Sequence, residues 1–170
     1  MSAEIAIREM TAGDCPIIAA AFAAQGWDKP LAQYQRYYQE SLDGRRLVLV
    51  AETAGQFAGY LTVLWESHYP PFREVSIPEI VDFNVLIKFR RRKIGTALLD
   101  AAEQRIALRS AIAGLGVGLY IGYGPAQALY VRRGYVPDGR GVYYHGEWLD
   151  YGKQLKIDDD LCLYLTRQVR

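Results

Sequence analysis

Arg90-Arg91-Arg92-Lys93-Ile94-Gly95-Thr96-Ala97-Leu98-Leu99 is the stretch on which the reading of this chain turns. Upstream of it, Ile77 to Ile87 is the most strand-like segment of the sequence. Downstream, Ile94, Leu98, Ala101, Ala102 and Ile106 recur at helical spacing and define one apolar face. The stretch therefore sits where a strand feeds a helix. A helix N-terminus exposes unpaired backbone N–H groups and the positive end of its dipole, so it is a ready site for an anion. Here those amides belong to Arg91 through Thr96, beside four consecutive cationic side chains. The small Gly95, Thr96 and Ala97 let a ligand approach the backbone closely. A pyrophosphate cradle has these features, although a solvated basic turn that only starts a helix carries the same charge pattern.

Working outward, Ile5-Ala-Ile7 is a short alternating strand, and Thr11 with Asp14 forms a helix-entry signal of the capping-box kind. An Ala-rich helix then runs to about Gln25 and stops at Gly26; a second, Leu31 to Leu42, closes at Asp43-Gly44. Leu47 to Thr53 and Phe57 to Trp65 read as a hairpin around Ala54-Gly55-Gln56. Pro70-Pro71 places Ser67 to Arg73 in a loop. Beyond the central helix, Leu115 to Ile121 is an apolar strand, and Pro125 to Arg133 a short helix ended by Gly134. Val142 to Tyr144 and Leu161 to Thr166 are further strands. With no repeat, low-complexity tract or composition break, residues 1–170 read as one α+β domain with helices set between strands of a mixed sheet.

Composition narrows the classes. The 170 residues are 51% apolar, enough for a single core without a disulfide or metal staple. Lys+Arg number 20 against 19 Asp+Glu, a net of +1 that argues against a broad cationic face for nucleic acid and against an acidic disordered chain. Cys15 and Cys162 lie far apart without a C-x-x-C spacing, and His68 and His145 are the only histidines, so no metal site is expected. Two buried thiols fit a reducing compartment. The start Met-Ser-Ala-Glu-Ile lacks the basic and apolar regions of a signal peptide. Cys15 to Ala24 is too short to cross a bilayer, and Ala111 to Ala126 is interrupted by five glycines. A cytoplasmic protein with no membrane and no nucleic-acid partner is the expectation.

A second motif follows the first. Tyr123-Gly-Pro-Ala126-Gln-Ala-Leu129-Tyr130-Val-Arg-Arg-Gly134-Tyr135 stands one helix and one strand beyond Arg90–Leu99. Together the two resemble the GNAT acetyltransferase superfamily, which moves acetyl groups from acetyl-CoA to amines. Its central motif reads Gln/Arg-x-x-Gly-x-Gly/Ala after a strand; here Lys93 stands where the first glycine is usual, a change that keeps the amide and adds a cation. Its second motif reads Asn-x-x-Ala-x-x-Leu-Tyr-x-x-x-Gly-Phe/Tyr; here Tyr123 replaces the Asn. The resemblance implies a mixed, mostly antiparallel sheet of six to seven strands flanked by about four helices, with acetyl-CoA as co-substrate and no metal.

It also implies roles. The strand backbone at Phe83 and Val85 would pair with the pantetheine arm, with an oxyanion donor near Val85, and Arg90, Arg91, Arg92, Lys93, Ile94, Gly95 and Thr96 would hold the pyrophosphate, with Ala126 nearby. Tyr130 falls where the family keeps its general acid: a phenol near pKa 10 can protonate a thiolate near ~8.5. An alkylamine with pKa near 10.4 must lose a proton to attack, so a carboxylate, directly or through water, is required. Glu79, Asp82 and Glu66 are the candidates. Glu79 and Asp82, three apart, face opposite sides of a regular strand, but a strand bulge in the family disturbs that alternation. Glu79 is favoured because Asp82 is closer to the expected CoA contacts.

For the acceptor, Trp27, Tyr69-Pro70-Pro71-Phe72, Tyr143-Tyr144-His145 and Trp148, interleaved with Glu66, Glu74 and Glu147, suit a small-molecule or peptide amine with an apolar body. The same aromatics fit ordinary packing or a homodimer interface. A non-catalytic acyl-CoA-binding module and a basic-loop nucleic-acid binder are the rival readings.

Overall fold

In the computed structural model, which describes residues 4–170, one eight-stranded sheet organises the chain. Its strands are β1 (Ile5–Glu9), β2 (Arg46–Thr53), β3 (Gln56–Leu64), β4 (Glu79–Val85), β5 (Ile112–Gly118), β6 (Val136–Tyr144), β7 (Glu147–Trp148) and β8 (Cys162–Gln168). The order is β1-β2-β3-β4-β5-β8-β6-β7, and only the β4–β5 pair is parallel. Five helices accompany it: α1 (Asp14–Ala24), α2 (Leu31–Leu42), α3 (Pro70–Glu74), α4 (Ile94–Ala107) and α5 (Gly124–Arg132).

The α+β class and the mixed sheet match the expectation; the counts are higher by small elements. The two-residue β7 is one addition. Another is α3, because Pro70-Pro71 opens a helical turn instead of holding an extended loop. A proline in the first turn costs nothing there, since its missing N–H would have had no intrahelical partner. At α1, Asp14 accepts the Thr11 N–H at 2.7 Å and the Thr11 hydroxyl at 2.9 Å, but the helix begins at Asp14 after Gly13 with no side-chain cap, so only half of the Thr-to-Asp entry signal is realised.

The core lies where α4 crosses the sheet. Leu98, Leu99, Ala102 and Ile106 bury their side chains with Leu49, Leu61, Val63, Ala113 and Leu115. Along β5 the alternate positions are glycines, and rings take the space a side chain would fill. A Cβ on Gly114 would lie 2.3 Å from Phe72, and one on Gly118 2.3 Å from Tyr123. That face carries a second, aromatic cluster in which Tyr69 stacks on Tyr164 at 3.6 Å, with Phe72 and Tyr143 edge-on at 5.0 Å.

A buried ionic knot ties α4 to the C-terminal strands. The Glu103 carboxylate accepts from Arg133 at 2.6 and 3.1 Å, from the Tyr135 hydroxyl at 3.0 Å, and from Arg167. Removing it would leave the Arg167 guanidinium and the Tyr135 phenol without this partner, and Arg133 with Asp100 alone, so Glu103→Ala is expected to cost about 3 kcal/mol. Glu9→Ala, which breaks the exposed pair with Arg105, should cost under about 1 kcal/mol. Urea titrations of the two variants beside the parent chain check the contrast; equal midpoints would remove the knot from the account.

Candidate active site

β4 and β5 pair only at Glu79–Gly114 and Ile80–Leu115, and then separate. β4 meanwhile stays on β3 through Val85. The Leu86 N–H donates to Ala58 O at 2.9 Å, so alternation turns the N–H and C=O of Val85 away from β3 and toward the opening. The Val85 carbonyl accepts from Arg90 Nε at 3.3 Å. Across the gap, the Gly118 carbonyl accepts from Gln127 on α5 at 2.8 Å. The result is a V-shaped cleft walled by strand edges.

The basic segment Arg90–Lys93 closes one end of this cleft. Lys93 occupies the N-cap of α4 at φ 64°, and Arg91 has φ 60°. The left-handed conformation that a glycine adopts freely is thus imposed on a lysine, at about 1–2 kcal/mol. No side chain caps α4 and its first turn holds no acid, so the amides at its start are open to an anion. The Arg90 guanidinium lies 5.5 Å over Trp27, and Arg92 lies 5.6 Å over Phe89. No ion pair among the described residues engages Lys88 or Arg90 to Lys93. Gly95 packs so tightly on Phe83 that a Cβ there would sit 3.0 Å from the ring.

The three carboxylate candidates separate clearly. Glu66 is exposed. Glu79 is buried where the strands part, and Ser67 Oγ donates to it at 2.5 Å. Burial raises its pKa above the ordinary carboxylate value, against a smaller lowering by the Ser67 bond. Asp82 is the extra residue of a bulge: Thr62 faces Val81, yet Tyr60 faces Asn84. Its φ is 47°. Directly opposed residues share a face, so Glu79 lies on the face of Leu64 and Arg46, and the bulge brings Asp82 to that face as well. The strand is bulged, as the resemblance implied, so the opposite faces of a regular strand do not apply here.

Asp82 is a hub. It accepts from Lys29 Nζ at 3.0 Å, Gln33 Nε2 at 2.9 Å, the Tyr37 hydroxyl at 3.1 Å, the Tyr60 hydroxyl at 2.5 Å and Asn84 Nδ2 at 2.7 Å. A carboxylate offers about four lone-pair sites. Those of Asp82 are filled, whereas Glu79 has one side-chain donor. Burial, reinforced by the Asp82 charge, pushes the Tyr37 phenol up to about 12 and Tyr60 higher still.

Tyr130 is buried on α5, edge-on to Tyr135 at 5.9 Å, and burial alone raises its phenol pKa. It follows Gln127 by one helical turn, so it shares the α5 face that reaches the β5 edge. Ala126 is half-buried on the same helix. Tyr123 lies on Gly118 and, with Tyr120, donates to Asp159, at 3.2 and 2.8 Å. Of the acceptor aromatics, Tyr69, Phe72, Tyr143 and Trp148 meet in one cluster. Trp27 is apart from them, stacked on Phe22 at 5.8 Å. Glu74 and Glu147 are exposed, the latter paired with Lys153. Sequence reasoning missed Lys29, Gln33, Tyr37, Tyr60 and Ser67. Only the tyrosines at one-turn spacing on α2, Tyr34 and Tyr37, carried a signal.

The described residues thus form a cleft of parted strand edges that leads to a cationic helix entrance. The sequence model of the Acetyltransferase (GNAT) family matches residues 11–135, and the chain belongs to that family. No curated protein sequence matches it. Among solved structures, it is similar to a GNAT-family protein from Desulfovibrio desulfuricans, with TM-score 0.72 and 15% identity, over 98% of this chain and 100% of that one. It is similar to yncA of Salmonella typhimurium, solved with its cofactor acetyl-CoA, with TM-score 0.69 and 17% identity over 98% and 94%. The ribosomal-protein-S18-alanine N-acetyltransferase of Escherichia coli matches with TM-score 0.68 and 15% identity over 98% and 94%. No described helix is long and apolar enough to cross a membrane.

Lys93→Gly removes the left-handed lysine and should raise stability by about 1 kcal/mol. The same change removes one of the four cations at the α4 entrance, and acetyl-CoA affinity is expected to fall. Chemical denaturation combined with calorimetric titration separates the two effects; a destabilised variant would mean that the Lys93 backbone carries no strain.

Proposed function

We propose that the chain transfers the acetyl group of acetyl-CoA directly to a primary amine. The observation that carries this reading is the cleft itself, where the outward-facing Val85 backbone leads to the unpaired cations Arg90–Lys93. The pantetheine arm would lie along β4 as an added strand, pairing with Val85 and the adjoining Phe83. The amides of Arg91 to Thr96 and their flanking cations would hold the pyrophosphate, with Ala126 on α5 lining the approach.

Glu79 is the general base in this reading. Burial lifts its pKa toward the range in which a carboxylate is an effective base, and its remaining lone pairs can take an ammonium proton, directly or through one water. The freed amine attacks the thioester carbon, a β4 backbone N–H near Val85 steadies the oxyanion, and the C–S bond breaks as the carbonyl reforms. Tyr130, whose raised pKa keeps the phenol protonated at neutral pH, delivers its proton to the departing thiolate and regains one from the acylated nitrogen, which sheds its extra proton as the amide forms. The fold's main contribution is to hold amine and thioester together in attacking geometry.

Acetyl-CoA should stabilise the protein saturably, by about 2.7 kcal/mol at a hundred times Kd. An absent thermal shift at millimolar acetyl-CoA would sink the reading, and binding without turnover would identify an acyl-CoA-binding module instead. A base works only when deprotonated, so kcat/KM should climb with pH through a limb above the ordinary carboxylate range, set by Glu79. Glu79→Gln should erase that limb and lower kcat about 10²-fold or more. Tyr130→Phe should lower kcat while acetyl-CoA affinity is retained; unchanged turnover would remove Tyr130 as the acid.

A further inference from the structure

Lys29 belongs to neither a helix nor a strand. It lies in the connection between α1 and α2, bounded by Gly26 at φ 80° and by Pro30. That connection touches the β4-to-cradle segment at alternate residues. Gln25 Oε1 accepts the Ile87 N–H at 3.1 Å, Trp27 lies under Arg90, and Lys29 reaches Asp82. The Lys29 ammonium rests in a built cation site: Asp82 Oδ1 at 3.0 Å, the Tyr60 hydroxyl at 3.3 Å, and the Phe22 and Tyr60 rings 5.5 and 5.8 Å away. Carboxylate, phenol and two ring faces are what an alkylammonium ligand requires.

The other donors to Asp82 are fixed. Gln33 and Tyr37 stand on α2, Tyr60 on β3 and Asn84 on β4. Lys29 alone rides on a loop and a flexible four-carbon stem, with 22% of its side chain exposed. It is the partner that another cation can replace. Asp82 also lies three residues beyond Glu79 on the same face, about 10 Å of extended strand that the bulge shortens. An anchoring carboxylate and a basic one at that separation fit the two ends of a short diamine.

We propose that Lys29 is an internal stand-in for a cation of the acceptor. The acceptor carries two amines: one displaces Lys29 from Asp82, and the other, deprotonated by Glu79, receives the acetyl group. This rests on the acetyl-transfer reading, and it narrows the substrate class to α,ω-diamines, polyamines and other compact dications. No covalent step is added to the transfer.

Two measurements test it with 1,4-diaminobutane and n-butylamine as probes. The first is NMR of wild-type protein labelled with ¹³C at lysine Cε. The ring-shifted Lys29 resonance should move to a solvent-exposed position on titration with 1,4-diaminobutane, and far less with n-butylamine. A resonance that stays ring-shifted at saturating diamine overturns the proposal, whatever the turnover. The second is steady-state CoA release by Lys29→Ala, whose vacated site should lower KM for the diamine about tenfold, with kcat little changed. KM for n-butylamine should hold. An unchanged diamine-to-monoamine ratio, or an equal change in both, counts against the site. Failure of acetyl-CoA to stabilise either protein would instead strike the acetyl-transfer reading.

Discussion

Everything in this molecule follows from the parting of β4 and β5 after two paired residues. Backbone N–H and C=O groups must find partners, and a parallel pair that splays leaves an edge on each side of the gap. The protein meets part of that demand itself, with Gln127 on the Gly118 carbonyl and Arg90 on the Val85 carbonyl. The Val85 N–H still faces the opening, and that opening leads to the cationic entrance of α4. An extended ligand with a phosphate at one end is the complement of this surface.

The β4 bulge makes the cleft chemically useful. One extra residue turns Asp82 to the face already held by Glu79, and a network from α2, β3, β4 and the α1–α2 connection holds it there. The two carboxylates then differ by environment. Asp82 is saturated with donors and suits anchoring; Glu79 is desolvated, lightly bonded and suits proton transfer. The glycines of β5 serve the neighbouring surface, since only a bare Cα lets the Phe72 and Tyr123 rings lie against the strand.

How far the sequence was legible tracks how local each determinant is. The strand-to-helix junction at Arg90–Leu99, the helix stop at Gly134 and the hairpin at Gly55 are written in adjacent residues, and the structure shows all of them. Lys93 was visible as a departure from a glycine, but its left-handed backbone was not, because lysine gives no hint of φ 64°. The resemblance implied a bulge in this strand, but no residue marks its place at Asp82, because the pairing that creates it involves β3, some twenty residues away. Lys29 looked like an ordinary loop lysine, since its partner lies 53 positions on. Pro70-Pro71 misled by composition, as a proline that stops one helix can start another. Strand β6 was read as only its last three residues, because Gly139 and Gly141 interrupt its pattern at a sheet irregularity.

The claim at the centre of this account is that the open edge of β4 binds the pantetheine arm. Amide hydrogen exchange followed by NMR measures this directly. On saturation with CoA, exchange at Val85 should slow at least about tenfold, while the exposed surface of α1 keeps its rates. Unchanged exchange at Val85 in a fully CoA-bound protein would contradict the account.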